Sequence, residues 1–372
     1  MLNPFFLYLA FGLNIIRSKT IDLIKTSHSI QIKYGFLLYM KDIVVYIIIL
    51  KLSINVLNGQ NAAGSTLNPE QMNKTFKVAA AQIAPVFLNK QKTVDKACEA
   101  IEEAALNGAK LVVFPEAFIS GYPDWVWVVP NSKSADLNKL YVELVENAVS
   151  IPDFSTDQLC KAAGKNQINV IIGIHERNTE SSNGSLYNSI LFIDDKGKII
   201  GKHRKLMPTG GERLIWAQGD GSTLQSYQTS VGKIGGLICW ENYMPQARMT
   251  LYKQGTQILA TPTWDKSPNW LISLQHIARE GGMFIISACQ AWKMEDLPDR
   301  FDFKKLYPEG REWINTGNSC IIGPNGKIIA GPLEEQEGML YADIDLNDII
   351  AAKRMFDVTG HYARPDVFDA EK

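Results

Sequence analysis

Cysteine is scarce in this sequence of 372 residues, and charge of one sign is not in excess. The five cysteines contain no Cys-x-x-Cys pair, which excludes a disulfide framework and argues against a thiolate zinc site. They are Cys98, Cys160, Cys239, Cys289 and Cys320. Such a sparse, odd set is typical of a reducing compartment and predicts a cytoplasmic protein. A net charge of -1 gives no electrostatic reason to bind nucleic acid.

Long hydrophobic runs are also lacking, since a membrane-spanning helix needs roughly 20 mainly apolar residues. The first 71 residues hold two apolar runs, but the first is uncharged only over residues 1–16 and charged side chains interrupt the second. No basic segment precedes the first run, as a secretory signal would require. We expect residues 1–71 to be an apolar extension and linker outside a native protein that begins at Met72. Membrane association follows only if this segment is translated and anchors the chain.

Residues 72–372 have the pattern of one α/β domain. The whole sequence has 46% hydrophobic and 21% charged residues, which is the composition of a globular protein. The apolar runs predict strands over residues 77–85, 110–116, 169–176, 233–240, 257–264 and 283–290. Helical spacing predicts helices over residues 91–108, 157–167, 248–255 and 267–282. Hairpins are predicted over 185–204 and over 320–331. Strands alternating with helices indicate a sheet covered by helices.

Three polar side chains lie at the ends of predicted strands, where reactive groups of α/β proteins tend to lie. They are Glu116, Lys205 and Cys239. A thiolate is a nucleophile, a carboxylate can act as its general base, and an ammonium can stabilise developing negative charge. Together they fit an acyl-transfer site. From the residues alone a second interpretation stays open: a buried structural cysteine, a turn carboxylate and a solvated lysine.

The segments around these residues carry a resemblance to a known family. VVFPEAFISGYPDW, KHRKLMPT and GGLICWENYMP resemble the three signature segments of the nitrilase branch of the carbon–nitrogen hydrolase (nitrilase) superfamily, in the family's order. Glu212 falls seven residues after Lys205, where that family places a second glutamate, and GHYARPDVF resembles its tail motif. The resemblance covers residues from about Lys77 to about Phe368. It implies a four-layer α-β-β-α sandwich, the carbon–nitrogen hydrolase fold.

The resemblance also implies an activity, the hydrolysis of small organic nitriles to carboxylic acid and ammonia. Cys239 would be the nucleophile that forms thioimidate and thioester intermediates, and Glu116 the general base and acid. Lys205 would stabilise the tetrahedral intermediates, and Glu212 would position substrate and Lys205. The family uses neither a metal nor an organic cofactor. Its members associate as homo-oligomers, either dimers joined across a helix-lined face or spirals built from them.

Several alternatives remain at this point. The same residue set serves amidases, other carbon–nitrogen hydrolases and cyanide-degrading relatives, and a non-catalytic scaffold would keep the fold alone. Aromatic residues near the signatures are candidate substrate-binding walls, although core or interface packing explains them equally well. They are Trp264, Tyr122, Trp125 and Trp240, with Trp127 and Trp216 beside them. His203 and Asn242 are interpreted as a packed histidine and a turn cap. If the Cys239 thiolate is stabilised, iodoacetamide should label it faster than the other cysteines.

Overall fold

The computed structural model describes residues 75–368, and they form two β-sheets packed face to face. The predictions made for residues 1–71, an extension outside the native protein and a conditional membrane anchor, lie outside the described residues. Between residues 75 and 368, no helix combines the length and the hydropathy needed to cross a membrane.

The first sheet has seven strands in the order β14-β1-β2-β3-β4-β5, with β6 beside β4. Its strands are β1 (Thr75–Gln82), β2 (Ala109–Val113), β3 (Asn169–Arg177), β4 (Leu186–Ile193), β5 (Ile199–Arg204), β6 (Trp216–Ala217) and β14 (Gly338–Asp345). The strands β1, β2 and β3 run parallel to one another, whereas β4 is antiparallel to both β3 and β5. The hairpin predicted over residues 185–204 is therefore confirmed.

The second sheet also has seven strands, in the order β11-β12-β10-β9-β8-β7, with β13 beside β12. Its strands are β7 (Tyr227–Thr229), β8 (Gly232–Gly236), β9 (Ile258–Ala260), β10 (Phe284–Ser287), β11 (Ala291–Lys293), β12 (Trp313–Ile322) and β13 (Ile328–Glu334). The strands β8, β9 and β10 are parallel, and β12 pairs antiparallel with β13, which confirms the second predicted hairpin.

Helices cover the outer face of each sheet. The α-helices are α1 (Lys90–Leu106), α2 (Trp125–Val128), α3 (Ser134–Glu146), α4 (Phe154–Asn166), α5 (Pro245–Lys253), α6 (Pro268–Gly281), α7 (Asn347–Lys353) and α8 (Pro365–Phe368). Helices α1 and α4 pack on the first sheet, while α5 and α6 pack on the second. A third apolar layer joins side chains such as Val113 and Ile190 of the first sheet to Ile234 and Ile286 of the second. The predicted α-β-β-α sandwich is confirmed.

Local sequence explains where the covering helices begin and end. Asp153 and Thr156 cap α4 reciprocally, each side chain accepting a hydrogen bond from the other's backbone N–H. In α6 the side chain of Ser267 accepts from the N–H of Trp270, and Gly282 ends the helix at a φ of 56°. That left-handed conformation favours glycine.

Five of the six predicted strands are too long at their carboxyl ends, and at two of them the difference matters for function. The strand predicted over residues 233–240 ends at Gly236, and Cys239–Tyr243 form a 3₁₀ helix instead. The strand predicted over 257–264 ends at Ala260. In both places the apolar run continues into a buried turn, which composition alone does not separate from a strand. Helix α3 was not predicted because only two of its residues, Leu140 and Leu144, are buried.

Candidate active site

The three residues predicted to carry the chemistry lie at strand ends of different sheets. Glu116 lies three residues after β2 and Lys205 directly follows β5, both in the first sheet. Cys239 lies three residues after β8 of the second sheet. Their exposed fractions are 0%, 1% and 4%, respectively. Polar side chains this deeply buried require partners, because an unpaired buried charge is costly.

Lys205 supplies the central contacts of this group. Its Nζ donates to Oε1 of Glu116 at 2.8 Å and to Oε2 of Glu212 at 2.7 Å. Glu212 lies on a 3₁₀ helix, Gly210–Leu214, and also accepts from the N–H of Thr209. Burial alone would lower the pKa of Lys205, but the charges of Glu116 and Glu212 outweigh it and raise that pKa. The side chain is therefore an ammonium held between two carboxylates.

Glu116 has one engaged oxygen and one free oxygen. Oε1 accepts from Lys205 and from Nδ2 of Asn188 at 2.7 Å, whereas Oε2 has no hydrogen-bond partner within residues 75–368. Burial raises the pKa of Glu116, the Lys205 charge opposes the shift, and the Glu212 charge reinforces it. A carboxylate with a raised pKa and a free oxygen is suited to accept and return a proton.

Sequence reasoning missed Asn188, which lies within β4 and carries no motif. Its backbone carbonyl accepts from the N–H of Lys205 at 2.8 Å, while its side chain bonds Glu116. It is opposite His175 in the neighbouring strand β3, so this register brings it to the site. Only the pairing of β4 with β3 and β5 could have revealed its position.

Cys239 begins the 3₁₀ helix at a sharp turn. Its φ of 52° is left-handed, which is uncommon for a residue with a β-carbon and is held by surrounding contacts. The N–H of Cys239 donates to the carbonyl of Pro262 at 2.8 Å. The side chain of Asn242 donates to the carbonyls of Leu237 and Cys239, both at 2.9 Å, which is the turn-capping role predicted for it.

The thiol of Cys239 accepts from the hydroxyl of Thr263 at 3.2 Å. Burial raises the pKa of Cys239, the charge of Glu116 adds to the shift, and the charge of Lys205 opposes it. The resting group is therefore a thiol, so the stabilised thiolate on which the rapid-labelling expectation depended is not favoured. A nucleophile of this kind needs a base when it reacts, and Glu116 is a buried carboxylate of the same cluster with one oxygen free.

The aromatic residue Tyr122 lies against this cluster. Its hydroxyl donates to Oε1 of Glu212 at 2.7 Å and accepts from Nε1 of Trp127 at 3.2 Å. Its ring stacks on Trp264 with centroids 4.4 Å apart and planes 7° apart. Trp264 is fixed in turn by a hydrogen bond from its Nε1 to Asp124 at 3.0 Å. Tyr122 and Trp264 are thus held in place beside Glu212.

The remaining predicted wall residues lie in different surroundings. Trp125 is fully buried in an aromatic cluster, 5.9 Å from Phe87 between ring centroids. Trp240 is half exposed and donates from Nε1 to Asp265 at 2.8 Å. Trp216 donates to Nδ1 of His175 at 3.0 Å. Substrate contact by any of these residues stays a prediction. In the described part of the chain, no group of three or more His, Cys, Asp or Glu side chains is arranged to hold a metal ion.

Comparison with known proteins extends these observations. The family model described as carbon-nitrogen hydrolase matches residues 77–354. Nitrilase 3 from Arabidopsis thaliana is 43% identical over 304 residues, which cover 79% of this chain and 86% of that protein. A bifunctional nitrilase/nitrile hydratase from Nicotiana tabacum is 41% identical over 300 residues, or 79% of this chain and 84% of that one.

A solved structure supports the fold independently. A carbon-nitrogen hydrolase from Helicobacter pylori superposes with a TM-score of 0.61 at 22% identity, covering 80% of this chain and 98% of that chain. The family model spans three-quarters of the sequence. Relatives that are named nitrilases and are more than 40% identical match this chain over most of their own length. The predicted family and hydrolase class are therefore confirmed. The chain belongs to the carbon–nitrogen hydrolase family, in its nitrilase branch.

Proposed function

We propose that this chain hydrolyses small organic nitriles to carboxylic acids and ammonia through Cys239. The observation that carries the proposal is that the two carboxylate oxygens of Glu116 differ in their hydrogen bonding. One carboxylate oxygen is held by Lys205 and Asn188, while the other is free to take the thiol proton. Relatives with more than 40% identity that are named nitrilases support the choice of nitrile as substrate.

The first half of the reaction forms a covalent intermediate. Oε2 of Glu116 accepts the proton of Cys239 as Sγ bonds to the nitrile carbon. The same proton then passes to the nitrile nitrogen, which gives a thioimidate. The Lys205 ammonium stabilises the negative charge that develops on that nitrogen, and Glu212 keeps the ammonium in place. Glu116 ends this half as a carboxylate.

The second half releases both products. A water gives its proton to Glu116 and adds to the thioimidate carbon. Glu116 returns that proton to the nitrogen, which gives a tetrahedral intermediate with a hydroxyl and an amino group on the carbon. The hydroxyl proton then passes through Glu116 to the nitrogen as the C–N bond breaks and the C=O bond forms, so ammonia leaves a thioester on Cys239. A second water adds in the same way and breaks the C–S bond. The carboxylic acid departs and the thiol is restored, so two waters are consumed for each nitrile.

A second product, the amide, is favoured by one specific comparison. The tobacco relative is named a bifunctional nitrilase/nitrile hydratase. After the first water adds, the intermediate has two leaving groups, ammonia and the Cys239 thiolate. Expulsion of the thiolate in place of ammonia releases an amide. The ratio of acid to amide reports which bond breaks first.

The test is a substrate panel run with the full chain. It measures ammonia and amide from aliphatic nitriles, aromatic nitriles, arylacetonitriles and cyanide, with the matching amides as alternatives. Cys239→Ala should abolish turnover, whereas Cys320→Ala, another buried cysteine, should keep it. Activity on amides alone would move the chain to the amidases, and cyanide alone to cyanide-degrading relatives. Nitrile hydrolysis that survives Cys239→Ala would refute the mechanism.

We also propose that copies of the chain associate through the face beside α5 and α6. Tyr243, Met244 and Ile272 expose apolar side chains there, which supports the predicted homo-oligomer. Sedimentation of the wild type should give a dimer or larger assembly, and Ile272→Asp should shift it toward monomer. Leu106→Asp, at the exposed end of α1, is the matched control. A monomeric wild type would refute this proposal.

We also propose a cytoplasmic location for the chain. All five cysteines are free, which supports it.

A further inference from the structure

Glu241 is a buried carboxylate beside the site that the reaction above does not use. It lies two residues after Cys239 on the same 3₁₀ helix, and only 2% of it is exposed. Its oxygens accept hydrogen bonds from both sheets. A buried carboxylate is retained at low cost only when its lone pairs are satisfied, so these contacts show what the residue holds.

The two oxygens bond the immediate neighbours of two proposed catalytic residues. Oε2 accepts from the N–H of Ile238, which precedes Cys239, at 2.8 Å. Oε1 accepts from the N–H of Leu206, which follows Lys205, also at 2.8 Å. A single side chain therefore joins the turn that carries the thiol to the strand end that carries the ammonium.

His203 completes this arrangement from the first sheet. Its Nε2 lies 2.9 and 3.0 Å from the two oxygens of Glu241 and donates to them. His203 is two residues before Lys205 and is itself 1% exposed. The packed histidine predicted at this position is confirmed, and its partner is the carboxylate that reaches Cys239.

The strained turn at Cys239 explains why the hydrogen bonds of Glu241 are needed. A non-glycine residue in the left-handed region persists only where surrounding contacts determine it. The hydrogen bond from Ile238 to Glu241 fixes the peptide unit that enters Cys239, and Asn242 fixes the carbonyl that leaves it. Of these two contacts, only the one to Glu241 is also tied to the strand of Lys205.

We propose that Glu241, supported by His203, is a positioning residue that sets the thiol of Cys239 relative to the ammonium of Lys205. This inference rests on the function proposed above. Glu241 itself takes no part in proton transfer, because each of its oxygens already accepts a backbone hydrogen bond. Displacement of a reacting group by about 1 Å can cost about 100-fold in rate, which is the scale of effect expected here.

The test compares Glu241→Gln with Glu176→Gln. Glutamine has one acceptor oxygen, so its NH₂ group would face a backbone N–H of Ile238 or Leu206. Glu176 is equally buried and accepts from Lys202, Arg204 and Ser189 of the same region, but it is not joined to the Cys239 turn. Both variants lose a buried carboxylate, and only Glu241→Gln should disturb the site.

Two readouts separate this inference from the proposed function. Nitrile hydrolysis by Glu241→Gln should fall about 100-fold in kcat with KM nearly unchanged. Alkylation of Cys239 by iodoacetamide, followed by mass spectrometry without any nitrile, should slow about tenfold because the displaced thiol loses its base. Alkylation and kcat should stay at the wild-type level in Glu176→Gln. An unchanged or faster alkylation rate in Glu241→Gln would overturn the inference, even if no nitrile were hydrolysed.

A second pair of variants guards against misfolding of Glu241→Gln. His203→Gln keeps an N–H donor near the position of Nε2 and should retain most of the alkylation rate. His203→Leu removes that donor, and its alkylation rate should fall to the same extent as that of Glu241→Gln. Equal rates in the two His203 variants would contradict the role given to His203 and Glu241.

Discussion

The hydroxyl of Tyr122 lies 2.7 Å from Oε1 of Glu212, whose other oxygen bonds the ammonium of Lys205. An aromatic side chain predicted as a pocket wall is thus joined by one hydrogen bond to the charged centre. Burial raises the pKa of Tyr122 well above its ordinary value, and the Glu212 charge adds to this shift, so the phenol remains a donor. The stacked ring of Trp264 keeps that donor in place.

Tyr122→Phe should therefore lower kcat for nitrile hydrolysis by roughly 10-fold, the value of one hydrogen bond to a charged group. Glu212 would lose a donor while Trp264 kept its stacking partner. Steady-state kinetics and denaturant unfolding would be measured together. Tyr141→Phe, which removes an exposed hydroxyl bonded to the carbonyl of Gly184, is the control and should leave kcat unchanged. Equal kcat in both variants would contradict the link to Glu212.

Lys205→Arg should reduce kcat by roughly 100-fold or more, because a planar guanidinium cannot replace a compact ammonium between Glu116 and Glu212. The Lys205 side chain has no exposed surface, so the larger guanidinium could not extend into solvent. Lys202→Arg tests the same change three residues earlier, within β5, on a partly exposed lysine paired with Glu176. It should keep wild-type turnover. Activity near wild type in Lys205→Arg would refute the assigned role.

Gly173→Ala should damage catalysis through the backbone of Glu116. A β-carbon on Gly173 would lie 2.2 Å from the carbonyl oxygen of Pro115 and 2.6 Å from the nitrogen of Ala117. Glu116 lies between those residues and would have to move, at a cost of about 1–3 kcal/mol in stability. Gly184→Ala, where the nearest atom lies 3.8 Å away, is the control. Unfolding and kinetics of both variants decide the outcome, and a fully active Gly173→Ala would contradict the close packing.

The free energy of unfolding should fall as the pH drops from about 6.5 to about 4, in part because of His175. Burial lowers the pKa of His175 from 6.5 to about 4, against a hydrogen bond to the carbonyl of Gly121 that opposes the shift. The unfolded chain binds a proton near pH 6.5 that the folded chain takes up only near pH 4, so stability is lost across that interval. The loss reaches about 3 kcal/mol from this residue.

Denaturant unfolding at pH 7 and pH 4.5 checks this expectation. His175→Gln should show a smaller change in the free energy of unfolding between the two pH values than the wild type. His276→Gln, an exposed histidine on α6, should behave as the wild type does. The same pH dependence in all three proteins would exclude His175 as the source.

The sequence allowed the fold and the charged centre to be predicted, for different reasons. Alternating apolar runs have a local physical cause, so most strands and helices could be placed from spacing. Glu116, Lys205 and Cys239 could be placed because each ends such a run within a motif. Asn188 could not, because its approach to Glu116 depends on the register between β3 and β4. Glu241 stood in a motif, yet its contact with Leu206 depends on how the two sheets pack.

The protonation state of Cys239 could not be predicted from the sequence, for another reason. Motif and residue type indicate a nucleophile but not the degree of its burial. Burial is the largest influence on the pKa of this thiol, and it raises that pKa. The charge on Cys239 thus depends on the three-dimensional surroundings of the residue, as the charge on Glu116 does.

The division of the site between the two sheets has a consequence for how the enzyme fails. Glu116 and Lys205 belong to the first sheet and Cys239 to the second, and an apolar layer holds the sheets together. Neither half of the sandwich contains the whole of the proposed centre, so we expect a fragment limited to one sheet to be inert. We expect heat or denaturant that separates the two sheets to abolish turnover, because the residues of the proposed centre then move apart. Loss of turnover would therefore report the separation of the two sheets.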